Sequence, residues 1–524
     1  MCLSESESTM PSHSLPPFSL SRRDFVSSAV AAGLGTLATH AEAETPPVNR
    51  GPKIGKQAIE DRIGFGAWIN DVRLEAMPFA YWPPDLLDEV AERSLIETMR
   101  LQAASGYNMF DVFGLFAAWG WPVDIVSAVD QERDARVRRI QKAARELGIK
   151  LIYGLGVYSW GFDKIIQHDP AVKGPNIHAM CASREESWVW QKKIIDFILQ
   201  YDFDGYHLEA SDLGRCTCEQ CMKTWPVLAT YYNHITAKCA DYIRRQAPGK
   251  YISAITISWA DWNTGFTAED KQNLITLSHQ VDSILDQGHH GLFVKEADRK
   301  AFVDQLQCKY GTSGGFWVYP PFRCHRERWF LPYTRKTGEH IQRLYADGGR
   351  SVLYYQGPIN NPGVEVNVAF GGKIMSDVSR DVTDVLSEVI EELYQPKTQE
   401  AHRFLVKTFQ QGEEAYLSNM NYDADGIHLK GQLAYPGPGE LHVGFGVSLA
   451  GATSAVPVYL YEPNLNDQGR AAYAKGLEAC LGHVSKIEHQ VGAVERVQRL
   501  KNSIYHALDD VLNVAYARET MPKP

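Results

Sequence analysis

Short apolar, β-branched runs recur from residue 64 to 358, and most are followed by a stretch whose apolar positions return every three or four residues. The runs predict strands at 64–69, 107–114, 150–158, 203–210, 251–259, 281–286, 315–319 and 351–356. The intervening stretches predict helices near 86–105, 131–147, 184–200, 222–247, 268–278, 296–309 and 335–346. In 131–147, Arg, Lys, Glu and Gln alternate with apolar residues at helical spacing, and Gly148 follows as a stop. From about 397 the pattern changes. Residues 397–420 and 468–517 read as helices around a segment, 421–467, rich in Gly, Pro, Asn and Tyr.

Eight β-then-α units at a spacing of roughly 40 residues fit an α/β chain closed as a (β/α)8 TIM barrel. An open doubly wound sheet fits less well. No Gly-x-Gly-x-x-Gly follows the first strand and no Walker-type Gly-Lys-Ser/Thr occurs, so dinucleotide and P-loop readings lose their support. The expected organisation is a leader over 1–43, a barrel over 44–395 and a mainly helical region over 396–524.

The leader rests on Ser21-Arg22-Arg23-Asp24-Phe25-Val26, which resembles a twin-arginine export signal. A mildly apolar run from Phe25 to Ala38 follows, and Ala41-Glu42-Ala43 fits a small-x-small cleavage site. No later segment has the roughly 18 apolar residues of a membrane span. A periplasmic or secreted protein is expected, with the twin-arginine machinery as an export partner and no stable membrane insertion.

Composition narrows the partner. The 524 residues carry 53 Lys+Arg against 63 Asp+Glu, for a formal charge of −10, and no basic block of five or more residues appears. Nucleic acid and anionic membranes are thereby disfavoured. Aromatics make up 11% of the chain, and many fall near predicted strand ends. In a barrel of this kind those C-terminal ends form the site. The ends supply Trp68, Asn70 and Asp71, then Asp111, Trp119 and Trp121, and from strand 3 Tyr158, Trp160 and Asp163. Later strands add Trp259, Asp261 and Trp262, then Asp286, Gln287, His289 and His290. The last two add Trp317, Tyr319 and Arg323, and Tyr354, Tyr355, Gln356 and Asn360. Carboxylates, amides and indoles in one rim suit a carbohydrate, whose C–H faces stack on aromatic rings while its hydroxyls take polar partners.

The most informative segment runs from Tyr201 to Asp212. Period-2 alternation puts His207, Glu209 and Ser211 on one strand face and Tyr206 and Leu208 on the other. The apolar face meets helices, so His207 and Glu209 are expected to point into the barrel near its mouth. Glycosidic cleavage needs a carboxylic acid to protonate the leaving oxygen and a second group to supply or stabilise the attack. Glu209, desolvated and close to Asp212, is the candidate acid, and Asp286 the candidate base or nucleophile. His207, Trp160, Trp259, Trp262, Trp317, Tyr319, Arg323, His289 and Gln356 are the candidate sugar ligands.

Asp-Gly-Tyr-His-Leu-Glu-Ala-Ser-Asp, followed by Cys-Thr-Cys-Glu-Gln-Cys, resembles exported TIM-barrel glycoside-hydrolase-like proteins related to β-hexosaminidases and α-glucuronidases. His207-Leu208 with Asp212 is similar to the hexosaminidase strand-4 signature His-x-Gly-Gly-Asp-Glu. Ser211 stands where that signature has Asp, and Asp212 where it has the acid Glu. The resemblance implies glycosidase chemistry, with the acid falling to Glu209 or Asp212, and fixes no sugar.

Cys216-Thr-Cys218-Glu-Gln-Cys221 sits beside the proposed acid, and Cys181 precedes a helix in the neighbouring loop. Three readings stand: disulfides in an oxidising compartment, a four-thiolate structural zinc site, or a redox role. No cofactor is required for the hydrolysis itself. His289, His290, Asp286 and His325 have no metallohydrolase spacing and are read as hydrogen-bonding groups. Besides a glycosidase, the sequence admits a non-hydrolytic carbohydrate-binding barrel and a metal-dependent lyase or hydrolase.

Overall fold

The computed structural model describes residues 51–75, 85–117, 120–210, 214–256, 267–286, 296–315, 330–419 and 467–512. Eight parallel strands pair in chain order and close on themselves. They are β1 (Asp61–Trp68), β2 (Met109–Phe113), β3 (Lys150–Gly156), β4 (Gly205–Glu209), β5 (Tyr251–Ile255), β6 (Ser283–Asp286), β7 (Lys309–Gly315) and β8 (Ser351–Tyr355). Closure is made by β8, whose Ser351 to Tyr355 lie in register with Asp61 to Phe65 of β1. The (β/α)8 barrel is therefore the fold.

Period-2 alternation divides each strand between two apolar layers. Phe110, Val112, Leu151, Tyr153, Tyr206, Leu208, Ile252 and Ile284 face outward into the layer shared with the helices. Ile63, Phe65, Met109, Phe113, Ile152, Ile255, Leu285, Leu353 and Tyr355 fill the barrel. Helix boundaries follow local chemistry. The helix α1 (Glu89–Ser105) starts where Asp88 accepts the Ala91 N–H and stops at Gly106, whose φ of 104° only glycine adopts readily. The helix α2 (Gln131–Glu146) is capped by Asp130 in the same way.

Several elements depart from the sequence reading: the helix Val382–Tyr394 is unexpected, and the stretches 222–247 and 468–517 each hold two helices. The seventh strand is Lys309–Gly315, ahead of the expected 315–319, because the preceding helix ends at Val303 instead of 309. Lys-Tyr-Gly-Thr-Ser-Gly-Gly has weak strand character, yet Gly311 is needed where a Cβ would lie 2.7 Å from Leu285. A helix at Pro362–Ser376, capped by Asn361, also escapes the pattern. It is buried on every side, so it shows no amphipathic period.

The C-terminal helices Gln399–Asn419, Asp467–Ile487 and Val494–Leu512 join the barrel as one unit, with no division at 396. The buried Glu413 carboxylate accepts the backbone N–H groups of Thr334, Arg335 and Lys336, each at 3.0 Å. It thereby caps the barrel helix Arg335–Ala346, whose own N-cap residue Thr334 makes no side-chain cap bond. Arg496 pairs with Glu365 at 2.9 Å, and the Tyr473 hydroxyl donates to the Phe330 carbonyl.

Candidate active site

The inner faces of β2 and β4 bring an imidazole and a carboxylate together between the aromatic rings of Phe65 and Phe113. Alternation turns Asp111 inward between Met109 and Phe113, and turns His207 inward between Tyr206 and Leu208. Both are fully buried, and His207 Nδ1 lies against Asp111 Oδ2. Nε2, on the opposite edge of the ring, has no hydrogen-bond partner among the described residues. The ring stacks parallel on Phe65 at 5.9 Å and meets Phe113 edge-on at 5.6 Å. This packing, with the carboxylate at Nδ1, fixes the orientation of the ring.

Glu209 occupies the next inward position on β4, roughly 6–7 Å further towards the C-terminal mouth. It is 6% exposed. The opposing positions on β3 are glycines: Gly154 aligns with His207 and Gly156 with Glu209. A Cβ on Gly154 would stand 2.3 Å from the Phe113 ring, and one on Gly156 would stand 2.2 Å from the Trp160 carbonyl oxygen. The missing side chains let Phe113 lean across and let the loop after β3 fold back over the mouth.

That loop is held under backbone strain. Tyr158 and Trp160 adopt φ of 58° and 57°, left-handed values that disfavour residues with a Cβ by about 1–2 kcal/mol each. The Tyr158 N–H donates to Gln191 Oε1 at 2.9 Å, and the Ser159 hydroxyl donates to the Ala210 carbonyl just past β4. Burial pushes the Tyr158 hydroxyl well above the usual tyrosine range, so it stays neutral. The result sets the Trp160 indole at the mouth, 5.4 Å from Trp68, beside Phe113 and Tyr355.

Several expected ligands lie elsewhere. Gln356 faces outward and accepts a hydrogen bond from Gln102 of α1 at 2.8 Å, so it joins barrel to helix instead of lining the mouth. Asp286 shares the outward face of Ile284 and accepts from the Tyr310 hydroxyl at 3.2 Å, in the layer that holds Phe302. In Ser-Ile-Leu-Asp both parities carry an apolar residue, and the inward one is Leu285. Asp286 therefore points away from the barrel axis. Trp121 packs on Phe116 and Phe197 in the helix layer. Asn70 and Asp71 brace the loop after β1, Asp71 taking the Trp68 N–H and Asn70 the Arg73 guanidinium. Asp212, Trp259, Trp262, Trp317, Tyr319, Arg323 and His289 lie outside the described residues. Asp111 is the partner that the list of candidate ligands lacked. Its signal is a lone acid at an inward position of an apolar strand.

Beyond β4 the four singled-out cysteines converge. Cys181, Cys216, Cys218 and Cys221 hold their sulfurs within 4.8 Å of one another, and all four are free thiols. Hydrogen bonds from Cys181 and then Cys216 hold the Cys221 thiol well below the usual thiol range.

A cleft of about 1130 Å³ opens at the other end of the barrel, among Lys309, Arg350, Asp204 and Asp282. It is an open groove without the imidazole and inward carboxylate of the mouth, and barrels of this fold place chemistry at the C-terminal face.

No protein-family model and no curated protein matches the chain. Solved structures match it in shape. A mutant of the Thermobaculum terrenum O-GlcNAc hydrolase superposes with a TM-score of 0.50 at 10% identity, over 88% of this chain and 83% of that one. A GH138 enzyme targeting pectin rhamnogalacturonan II superposes with a TM-score of 0.55 at 8% identity, over 88% of this chain and 58% of its own. At such identities the likeness is one of fold. Among the described residues no helix is long and apolar enough to cross a membrane.

Proposed function

We propose that this chain is an exported glycoside hydrolase that cleaves a poly- or oligosaccharide at the C-terminal mouth of its barrel, with Glu209 as the general acid. The observation that carries the reading is the stack on the inner wall: a carboxylate at the mouth, a buried imidazole–carboxylate pair beneath it and a Trp160 platform beside it. The two structural neighbours act on an O-GlcNAc linkage and on a pectin, which favours a sugar substrate here as well.

In this reading a sugar ring lies against Trp160, and the glycosidic oxygen meets Glu209, which gives up its proton as the bond to the anomeric carbon breaks. Asp212, three residues further on, is the second carboxylate, acting as base or nucleophile. Asp286 is not proposed for that role because its side chain faces the helices. His207 holds a sugar hydroxyl through Nε2, and Asp111 positions His207 from behind. In this reading residues 1–43 are a twin-arginine leader and the enzyme acts in the periplasm or outside the cell.

The test is product release from a panel of plant and algal polysaccharides and acetamido-sugar oligomers, using the wild type beside Glu209→Gln and Asp212→Asn. Glu209→Gln is expected to lower turnover on the order of 10²–10⁴-fold with the fold intact. Unchanged turnover would move the acid elsewhere. Glycan binding without release by the wild type would make the chain a carbohydrate-binding barrel.

A further inference from the structure

The thiol cluster has the geometry of a coordination shell. Its members come from two segments that only the fold brings together: Cys181 precedes the helix Glu185–Ile198, while Cys216, Cys218 and Cys221 follow β4. Cys181 Sγ lies 3.6 Å from Cys218 Sγ and 3.7 Å from Cys221 Sγ. Four sulfurs placed tetrahedrally at the zinc–thiolate bond length of about 2.3 Å stand about 3.8 Å apart. A disulfide would need a separation of about 2.05 Å, and no fixed pairing accounts for one cysteine being equidistant from two others.

The surroundings suit a closed metal site. Cys181, Cys216 and Cys221 are buried, and Cys218 is half-buried at the rim. Gly174 leaves room for a ligand, since a Cβ there would lie 2.3 Å from Cys216 Sγ. The Ser183 hydroxyl lies 3.0 Å from Cys221 Sγ, and the Cys221 N–H reaches Cys218 Sγ at 3.5 Å, giving the sulfurs an outer shell of donors.

We propose that Cys181, Cys216, Cys218 and Cys221 bind one structural zinc ion as a tetrathiolate, fastening the loop after β4 to the segment ahead of Glu185–Ile198. Loading breaks four S–H bonds, forms four Zn–S bonds and releases four protons, with no change of oxidation state. Four protein ligands leave no open coordination position, so this ion steadies the wall beside Glu209 and takes no substrate. It also keeps the thiols from pairing in an oxidising compartment.

The full chain, purified under reducing conditions, is expected to contain one zinc per chain by elemental analysis and native mass spectrometry. Cobalt(II) exchanged into the site is expected to show the absorption of a tetrahedral thiolate complex. Cys218→Ser should lose retained zinc, whereas Cys218→His should keep it, because imidazole is an equivalent ligand. Cys308→Ser, outside the cluster, should hold one zinc. A folded wild type with no zinc and four freely titrating thiols would overturn the proposal. So would a chain lighter by the hydrogens of two disulfides, iron in place of zinc, or undiminished zinc in Cys218→Ser. None of these readouts uses a sugar, so failure here is separable from failure of the glycosidase reading.

Discussion

The base and the middle of the barrel both bury a carboxylate, and they partner it differently. At the N-terminal end Asp61 takes Lys309 Nζ at 2.5 Å and the hydroxyls of Tyr251 and Ser351 at 3.1 Å each, so both carboxylate oxygens are partnered. Midway along β2 and β4, beneath the C-terminal mouth, Asp111 and His207 face one another among aromatic rings. A buried carboxylate with a full set of donors holds strands in place. The buried imidazole, held by a carboxylate at one edge and by ring packing on its faces, is the group to which the proposed function gives a sugar hydroxyl. In the proposed reading one fold thus separates a group that fastens strands from a group that binds.

That contrast can be broken experimentally. The largest effect is expected beneath the mouth: Asp111→Asn should lower turnover per folded molecule about 100-fold, beyond the loss of stability that breaking a buried pair also brings. Steady-state kinetics across pH beside a thermal melt would check both halves. A lost fold with unchanged turnover per folded molecule would make Asp111 a partner like Asp61. At the opposite end Asp61→Ala should cost about 2 kcal/mol, less than a fully buried pair because Lys309 is part-exposed, and leave turnover per folded molecule unchanged. Denaturant midpoints decide it. Trp160→Ala should raise KM about fivefold with kcat nearly constant, as loss of a stacking platform worth about 1 kcal/mol requires.

The smallest effect is one of pH. Burial pulls the Lys309 ammonium down, but its hydrogen bond to Asp61 and the charges of Asp61 and Glu60 outweigh it and raise the pKa overall. A group raised in the folded state contributes stability that is complete below its unfolded value, about 10.4, and fades as pH climbs through the folded value. The stability gap between wild type and Asp61→Ala should therefore be flat through neutral pH and narrow in the alkaline range. Chemical denaturation at stepped pH tests this.

Much of the fold was legible because half-buried strands and amphipathic helices carry their period in the sequence. Tyr206-His207-Leu208-Glu209 is the clearest case: two apolar outward residues fix the parity and turn His207 and Glu209 inward, as found. Where both parities are apolar the reading fails. Asp286 followed Ile284-Leu285 and could be assigned to either face, and Gln356 ended the equally ambiguous Tyr354-Tyr355. The helix Pro362–Ser376 was hidden for a related reason, being buried all round. The convergence of Cys181 with Cys216, Cys218 and Cys221 was suggested by spacing, but only the crossover from β3 to β4 brings the fourth sulfur home. The pairing of Asp111 with His207 joins strands nearly a hundred residues apart, and no local pattern encodes it.

The capping of Thr334–Lys336 by Glu413 has a consequence along the chain as well as in space. The carboxylate that completes the start of a barrel helix is encoded 79 residues after the first N–H it receives. All eight strands are encoded ahead of that cap, which lies on the helix Gln399–Asn419. A chain cut near 395 would keep all eight strands and lose the carboxylate that completes the start of Arg335–Ala346.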